Sequence, residues 1–174
     1  HFMQAGASTR YTGAVLELIP RLKYSGKTSL ALQFGRLLKR DFVNFYIDSG
    51  IYGVVPVPLH PARLRRRGYN QSLLLVRHWT GADAGTGNTV APVLLDNVLF
   101  RCKNTASQTG FTRSARLKNI RKAFEVRDPQ RIIGKKVLVV DDVYTTGATV
   151  DECARVLLDA GAEEVNVLTV ARAL

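Results

Sequence analysis

Asp141 and Asp142 stand side by side directly after the apolar run Val137, Leu138, Val139, Val140, and a turn of another character follows: Thr145, Thr146, Gly147, Ala148, Thr149. Two adjacent carboxylates accept hydrogen bonds from hydroxyls or hold a divalent cation, and they repel a bare phosphate. The turn does the reverse. Gly147 can take a backbone conformation in which main-chain amides converge on an anion, and the three threonine hydroxyls add donors without bulk. The turn leads into a helical pattern over 150–160, whose N-terminus offers free N–H groups and the positive end of the helix dipole. A ligand that suits both halves carries a phosphate together with hydroxyls or a bound cation. A ribose 5-phosphate is such a molecule.

Both halves must be held at one edge of a sheet. An unbroken run of Val and Leu is what a strand covered on both faces contains, and ligands of open α/β sheets bind at the carboxyl ends of such strands. The rest of the chain supplies a suitable frame. Apolar spacing predicts a helix over Thr12–Tyr24 that Pro20 should distort or end, and a second over Leu30–Leu38 capped by Thr28 or Ser29. A short strand over Gly53–Val57 runs into a turn stiffened by Pro56, Pro58 and Pro61. A helix opens at Gly68–Ser72, with Asn70 and Gln71 as candidate caps, and runs to Trp79. Residues 80–89 read as a surface loop, Val93–Phe100 as a strand, 123–126 as another, and Glu164–Ala171 as the last. Tyr69 reads as core, and Tyr144 either covers a ribose or points to solvent. Strand and helix alternate, so the fold class is α/β, a mainly parallel central sheet flanked by helices.

The chain has 174 residues, 46% of them hydrophobic and 22% charged, which suits one domain with its own core. That domain is expected over 10–174, with a helical hood-like segment at 10–50 and the core at 51–174. His1–Gly6 shows no pattern and is placed outside the fold. No run approaches the ~18 apolar residues of a membrane span, and no apolar leader is visible, so a cytoplasmic protein is expected. Cys102 and Cys153 have neither zinc-ligand spacing nor a disulfide framework. Ser25-Gly26-Lys27-Thr28 is not a P-loop, because the earlier glycine it requires falls on Arg21.

The net charge of +11 is unevenly distributed. No acid lies between Asp48 and Asp83, where His60, Arg63, Arg65, Arg66, Arg67 and Arg77 are found. None lies between Arg101 and Lys122 either, a stretch holding Arg113 and Arg116. Together these blocks hold 12 of the 25 Lys and Arg residues, which implies a polyanionic ligand. The second block is longer than a compact connection needs and is expected to act as a lid.

The stretch Val137–Thr149 resembles the phosphoribosyl pyrophosphate (PRPP) binding motif of type I phosphoribosyltransferases. Further strings, L-K-Y-S-G at 22–26, V-P-V-P-L-H at 55–60, R-R-G-Y-N-Q-S at 66–72 and the spaced Thr105, Gln108, Arg113, Arg116 and Asn119, resemble the ComF family of competence proteins over nearly all of 22–171. Members usually begin with a four-cysteine zinc-binding module, and no cysteine precedes Cys102 here. The resemblance implies that Asp141 and Asp142 contact ribose hydroxyls directly or through Mg²⁺, and that Thr145, Thr146, Gly147, Ala148 and Thr149 hold the 5-phosphate. It also implies that His60, Arg65, Arg66 and Arg67 face the pyrophosphate and that Arg113 and Arg116 close over it as catalytic lid residues. Loss of pyrophosphate from C1 needs cationic neutralisation of the leaving group. The candidate general bases are His60 and Glu125.

Two functions fit these residues. One is a PRPP-binding protein of natural transformation that handles single-stranded DNA on the cytoplasmic side of the inner membrane, with that DNA and other competence proteins as partners. The alternative is an active phosphoribosyltransferase of base or nucleotide salvage, transferring to a nitrogen acceptor. The segment Thr12–Asp48, where an acceptor pocket would be built, shows no base-reading motif.

Overall fold

The computed structural model describes residues 1–79, 91–105 and 119–173. In chain order the elements are β1 (Ala5–Arg10), α1 (Ala14–Tyr24), α2 (Ser29–Tyr46), β2 (Gly53–Pro56), α3 (Pro61–Arg67), α4 (Gln71–Val76), β3 (Val93–Leu94), β4 (Leu99–Arg101), β5 (Phe124–Val126), β6 (Lys136–Tyr144), α5 (Ala148–Asp159) and β7 (Glu164–Arg172). Five strands form one sheet in the order β1-β7-β6-β2-β3, and every neighbouring pair is parallel. The expected mainly parallel α/β architecture is therefore present. Strands β4 and β5 form a separate antiparallel ribbon, Leu99 opposite Val126 and Arg101 opposite Phe124.

The period of two along β6 divides the core. Val137 and Val139 pack with Val55, Val165, Val167 and the Ala154 and Leu157 side of α5. Leu138 and Val140 pack on the other face with Ile19, Leu22, Leu38, Phe42 and Leu75 of α1, α2 and α4. Both faces are covered, which is why β6 has no polar residue from Val137 to Val140. The hood-like segment is thus a layer of the core and packs directly on the sheet.

Several boundaries differ from the sequence expectation. His1–Gly6 does not lie outside the fold: Ala5–Arg10 is an edge strand paired with β7, Ala5 to Val167 and Thr9 to Ala171. Its small residues fit the packing above it. A side chain at Gly6 would lie 3.0 Å from the Tyr46 hydroxyl, which donates to the Val167 carbonyl at 3.0 Å. Helix α1 runs through Pro20 without ending, since Ile19 and Leu22 on either side are buried and anchor both halves to one core. Helix α2 extends to Tyr46 rather than Leu38, following Phe42 and Tyr46 into the core. The single strand expected over Val93–Phe100 is two, β3 joining the main sheet and β4 the ribbon. Helix α3 was not expected. His60 caps it, its Nδ1 accepting the Ala62 N–H at 3.2 Å, and Pro61 occupies the first turn, where its missing N–H costs nothing.

Candidate functional site

Strand order alone places a crevice. From β2 the chain moves outward to β3, and from β6 it moves the other way through α5 to β7, so the connections diverge between the neighbours β2 and β6. Such a switch point at the carboxyl edge is where open α/β sheets take ligands. Pairing between β2 and β6 stops at Pro56 with Val140, while β6 continues along β7 with Asp141 opposite Thr169, Val143 opposite Ala171 and Tyr144 opposite Arg172. The strand therefore extends through both acids, four residues beyond the apolar run. Asp141 and Asp142 are held as strand residues with their β2 side open.

Both acids are buried, 8% and 3% exposed, and each has a specific partner. Asp141 Oδ1 accepts the Ser72 hydroxyl at 2.9 Å and the Asp142 N–H at 2.9 Å. Asp142 Oδ2 lies 2.9 Å from the Lys23 ammonium of α1, an ion-pair contact that leaves this buried oxygen without a hydrogen-bonding partner of good angle. Burial, then the Asp142 charge, pushes the Asp141 carboxyl from 3.8 up to about 7, against the opposing pull of Lys23, the Asp142 N–H and Ser72. Burial works against the Lys23 ammonium, but the attraction of Asp142 outweighs it and raises its pKa. One acid is thus poised near neutrality and the other is neutralised by a lysine 119 residues away in sequence, the difference between positions 142 and 23.

The turn after β6 has the expected form. Gly147 lies at φ 77°, in the left-handed region, immediately before α5. A side chain there would meet the Tyr144 hydroxyl at 2.5 Å, so glycine is required by backbone and by space. Thr146 Oγ1 accepts the Ala148 N–H at 3.4 Å. Tyr144 is half-buried and does not point freely to solvent. It leans over Gly147, meets Phe2 edge-on at 6.4 Å, and has the Arg172 guanidinium 5.1 Å from its ring centre.

Across the crevice, Asn70 fulfils its capping role, accepting the Ser72 N–H at 3.1 Å and donating its amide to the Val57 carbonyl at 3.1 Å. This locks α4 to the end of β2 and aims Ser72 at Asp141. Gln71 instead accepts from Arg67. Of the α3 arginines, Arg65 and Arg66 are exposed, Arg67 reaches Gln71, and Arg63 donates to the Thr105 carbonyl. Arg63, Arg66 and Arg67 share one cavity wall; Arg65 does not line it. Tyr69 is half-buried, its hydroxyl donating to the Leu22 carbonyl at 2.5 Å. Arg113 and Arg116 lie outside the described residues, as does Gln108.

Sequence reasoning missed three members of this neighbourhood. Lys23 lies in the string L-K-Y-S-G, but nothing local reveals its partner. Ser72 was seen only as the opening of a helix. Arg101, 7% exposed, donates to Thr105 Oγ1 at 2.5 Å and sits over Phe124 at 5.3 Å. Burial and the nearby Arg63 lower its pKa, while Cys153 and Asp141 draw it upward. Of the proposed bases, His60 caps α3 through its Nδ1, and Glu125 pairs with Arg127 at 2.7 Å on the exposed ribbon. Cys153 is fully buried, and desolvation followed by the Asp141 charge holds its thiol well above the usual range.

Comparison with known proteins agrees with this fold. The phosphoribosyl transferase domain model matches residues 84–174. The DNA utilization protein YhgH of Salmonella typhimurium is 34% identical over 170 residues, covering 94% of this chain and 70% of that protein. Competence protein F of Haemophilus influenzae is 32% identical over 163 residues, 90% of this chain and 67% of its own length. Competence protein ComFC of Streptococcus pneumoniae is 30% identical over 162 residues, covering 93% and 65%. With its acid pair at the switch point and its glycine turn before α5, the chain belongs to the phosphoribosyl transferase domain family and, within it, to the ComF family of competence protein F, ComFC and YhgH.

Proposed function

We propose that this chain binds PRPP or another phosphorylated ribose in the β2–β6 crevice and acts in competence and DNA utilization, the roles named for its relatives. The observation that carries the reading is the buried pair Asp141 and Asp142 at the switch point, followed directly by the Gly147 turn at the start of α5. Ribose hydroxyls donate to the acids, and the phosphate accepts from the turn amides and threonine hydroxyls. Ser72 and the Asp142 N–H fix Asp141, so its free oxygen is oriented before the ligand arrives. Lys23 reduces the repulsion an incoming phosphate ester would meet.

Mg²⁺ fits this site only in part. The two carboxylates supply few donors, and no group of three or more His, Cys, Asp or Glu among the described residues could hold a metal. That suits an ion held jointly with ligand oxygens, which is how Mg²⁺ usually sits beside phosphates. When bound, it would neutralise charge on the pyrophosphate. The protein's own residues bind and orient the ribose, and the cationic wall of α3 faces the leaving group.

A DNA-handling role is favoured over base or nucleotide salvage. The names of the relatives point that way. No helix among the described residues is long and apolar enough to cross a membrane. Calorimetric titration with PRPP, with and without Mg²⁺, tests the reading. Binding by the wild type that is lost in the double variant Asp141→Asn, Asp142→Asn supports it; equal affinity in both proteins refutes the site.

A further inference from the structure

A buried arginine stands outside the acid pair and the glycine turn. Arg101 ends β4 opposite Phe124 of β5, with its guanidinium 5.3 Å from the Phe124 ring centre. Only 7% of it is exposed, its Nε is buried without an acceptor, and no ion pair among the described residues includes it. Burial lowers its pKa, and the neighbouring Arg63 lowers it further. Such a position is costly for a cation, because water is removed from the charge and the group beside it has the same sign. A ribbon that only had to pack would carry an apolar side chain there, as it does at Leu99 and Phe124.

The hydrogen bonds show what the cation holds. Arg101 Nη2 donates to Thr105 Oγ1 at 2.5 Å. Thr105 is itself 7% exposed, and its carbonyl accepts from Arg63 Nη2 of α3. The first bond pins Thr105 to the ribbon, and the second pins Arg63 to Thr105. Arg63 is half-buried and shares a cavity wall with Arg66 and Arg67. A long side chain left free must be ordered when a ligand arrives, at the expense of affinity, and one held beforehand is not. Only one of the Arg63 N–H groups is taken by Thr105, so the guanidinium keeps donors for a ligand. An anion at Arg63 also offsets its repulsion with Arg101, a repulsion the fold alone leaves in place. Thr105 belongs to the basic block in sequence, yet spacing alone links it to neither arginine.

On the reading that the α3 wall faces pyrophosphate, we infer that Arg101 and Thr105 are positioning residues for it. The β4–β5 ribbon presets Arg63 for the pyrophosphate end of the ligand, and neither Arg101 nor Thr105 touches the ligand. Their effect is therefore confined to ligands that carry the pyrophosphate. The ribose and its 5-phosphate, held by the acid pair and the glycine turn, do not depend on them.

The test is calorimetric titration of the full chain with PRPP, inorganic pyrophosphate and ribose 5-phosphate. T105V keeps the shape of the side chain and removes the hydroxyl, T105S keeps the hydroxyl, and R101M keeps the length and removes the charge. T105V and R101M should each weaken PRPP and pyrophosphate by about tenfold, the loss of one hydrogen bond to a charged group, and leave ribose 5-phosphate unchanged. T105S should bind all three as the wild type does. Urea unfolding separates positioning from folding: R101M loses a buried unpaired cation and should be at least as stable as the wild type. An equal loss for all three ligands, or a loss that tracks stability, marks a structural role and overturns the inference. So does unchanged pyrophosphate binding in T105V and R101M. A loss in R101M with none in T105V overturns it too, because Arg101 would then meet the ligand itself. A wild type that binds pyrophosphate in a Thr105-dependent way but neither PRPP nor ribose 5-phosphate would leave the inference standing and remove the reading of the acid pair. A wild type that binds none of the three removes both.

Discussion

Asp141→Asn should make the protein more stable at about pH 8 while weakening its ligand binding. Folding raises the Asp141 carboxyl from 3.8 to about 7, chiefly through burial and then through Asp142. A carboxyl whose pKa rises on folding binds its proton more tightly in the native state. Its contribution to stability is complete below about pH 4, is lost as pH climbs toward 7, and stays lost above. A rise of that size corresponds to about 4 kcal/mol at the alkaline end. Asparagine has the same shape, carries no charge, and can still accept the Ser72 hydroxyl and the Asp142 N–H at the oxygen that takes them now. It gives up the attraction to Lys23, so the net gain should be about 1–3 kcal/mol at pH 8 and close to zero near pH 4. Urea unfolding of both proteins at the two pH values, followed by the fluorescence of Trp79, measures it. The same offset at both pH values, or a loss of stability at pH 8, would refute the claim that the wild type holds a strained charge at this position.

Lys23→Met removes the cation that neutralises buried Asp142. It should destabilise the fold by about 2–3 kcal/mol at neutral pH, toward the low side for a broken buried pair; urea unfolding measures the loss, and unchanged stability would refute a structural role for the pair. Gly147→Ala introduces strain at φ 77° and a clash with the Tyr144 hydroxyl, for an expected loss of about 1–3 kcal/mol. Adding Tyr144→Ala should recover the steric part and leave the backbone part, and full recovery would show that the left-handed conformation matters little.

The acid pair, the turn and the parallel sheet were legible because their signals are local. An unbroken Val and Leu run, two acids and a glycine turn fall within thirteen consecutive positions, 137–149. What escaped is set by contacts between distant segments. Strand β1 has no alternating pattern because its small residues are chosen by the approach of Tyr46 and its order by backbone pairing with β7. Pro20 reads as a helix end, yet tertiary packing of Ile19 and Leu22 outweighs its missing hydrogen bond. A signal for α3 is present in His60-Pro61, a cap followed by proline, but the run of arginines after it carries no apolar periodicity. Lys23 and Ser72 could not have been assigned to the acids without knowing that α1 and α4 pack on the face of β6 that carries Leu138 and Val140.

The contact between Lys23 and Asp142 also bears on how such a protein can diversify. In a fold whose sheet is shared by many ligand chemistries, the helices over one face are the natural place for variation, because the ligand-facing edge can stay unchanged beneath them. Here one of those helices carries the counter-charge for the edge itself. A chimera that takes its first fifty or so residues from another family member must bring a cation to the position of Lys23 or leave a carboxylate stranded in the core. Exchange of the covering helices is therefore expected to cost stability unless the donor carries that cation.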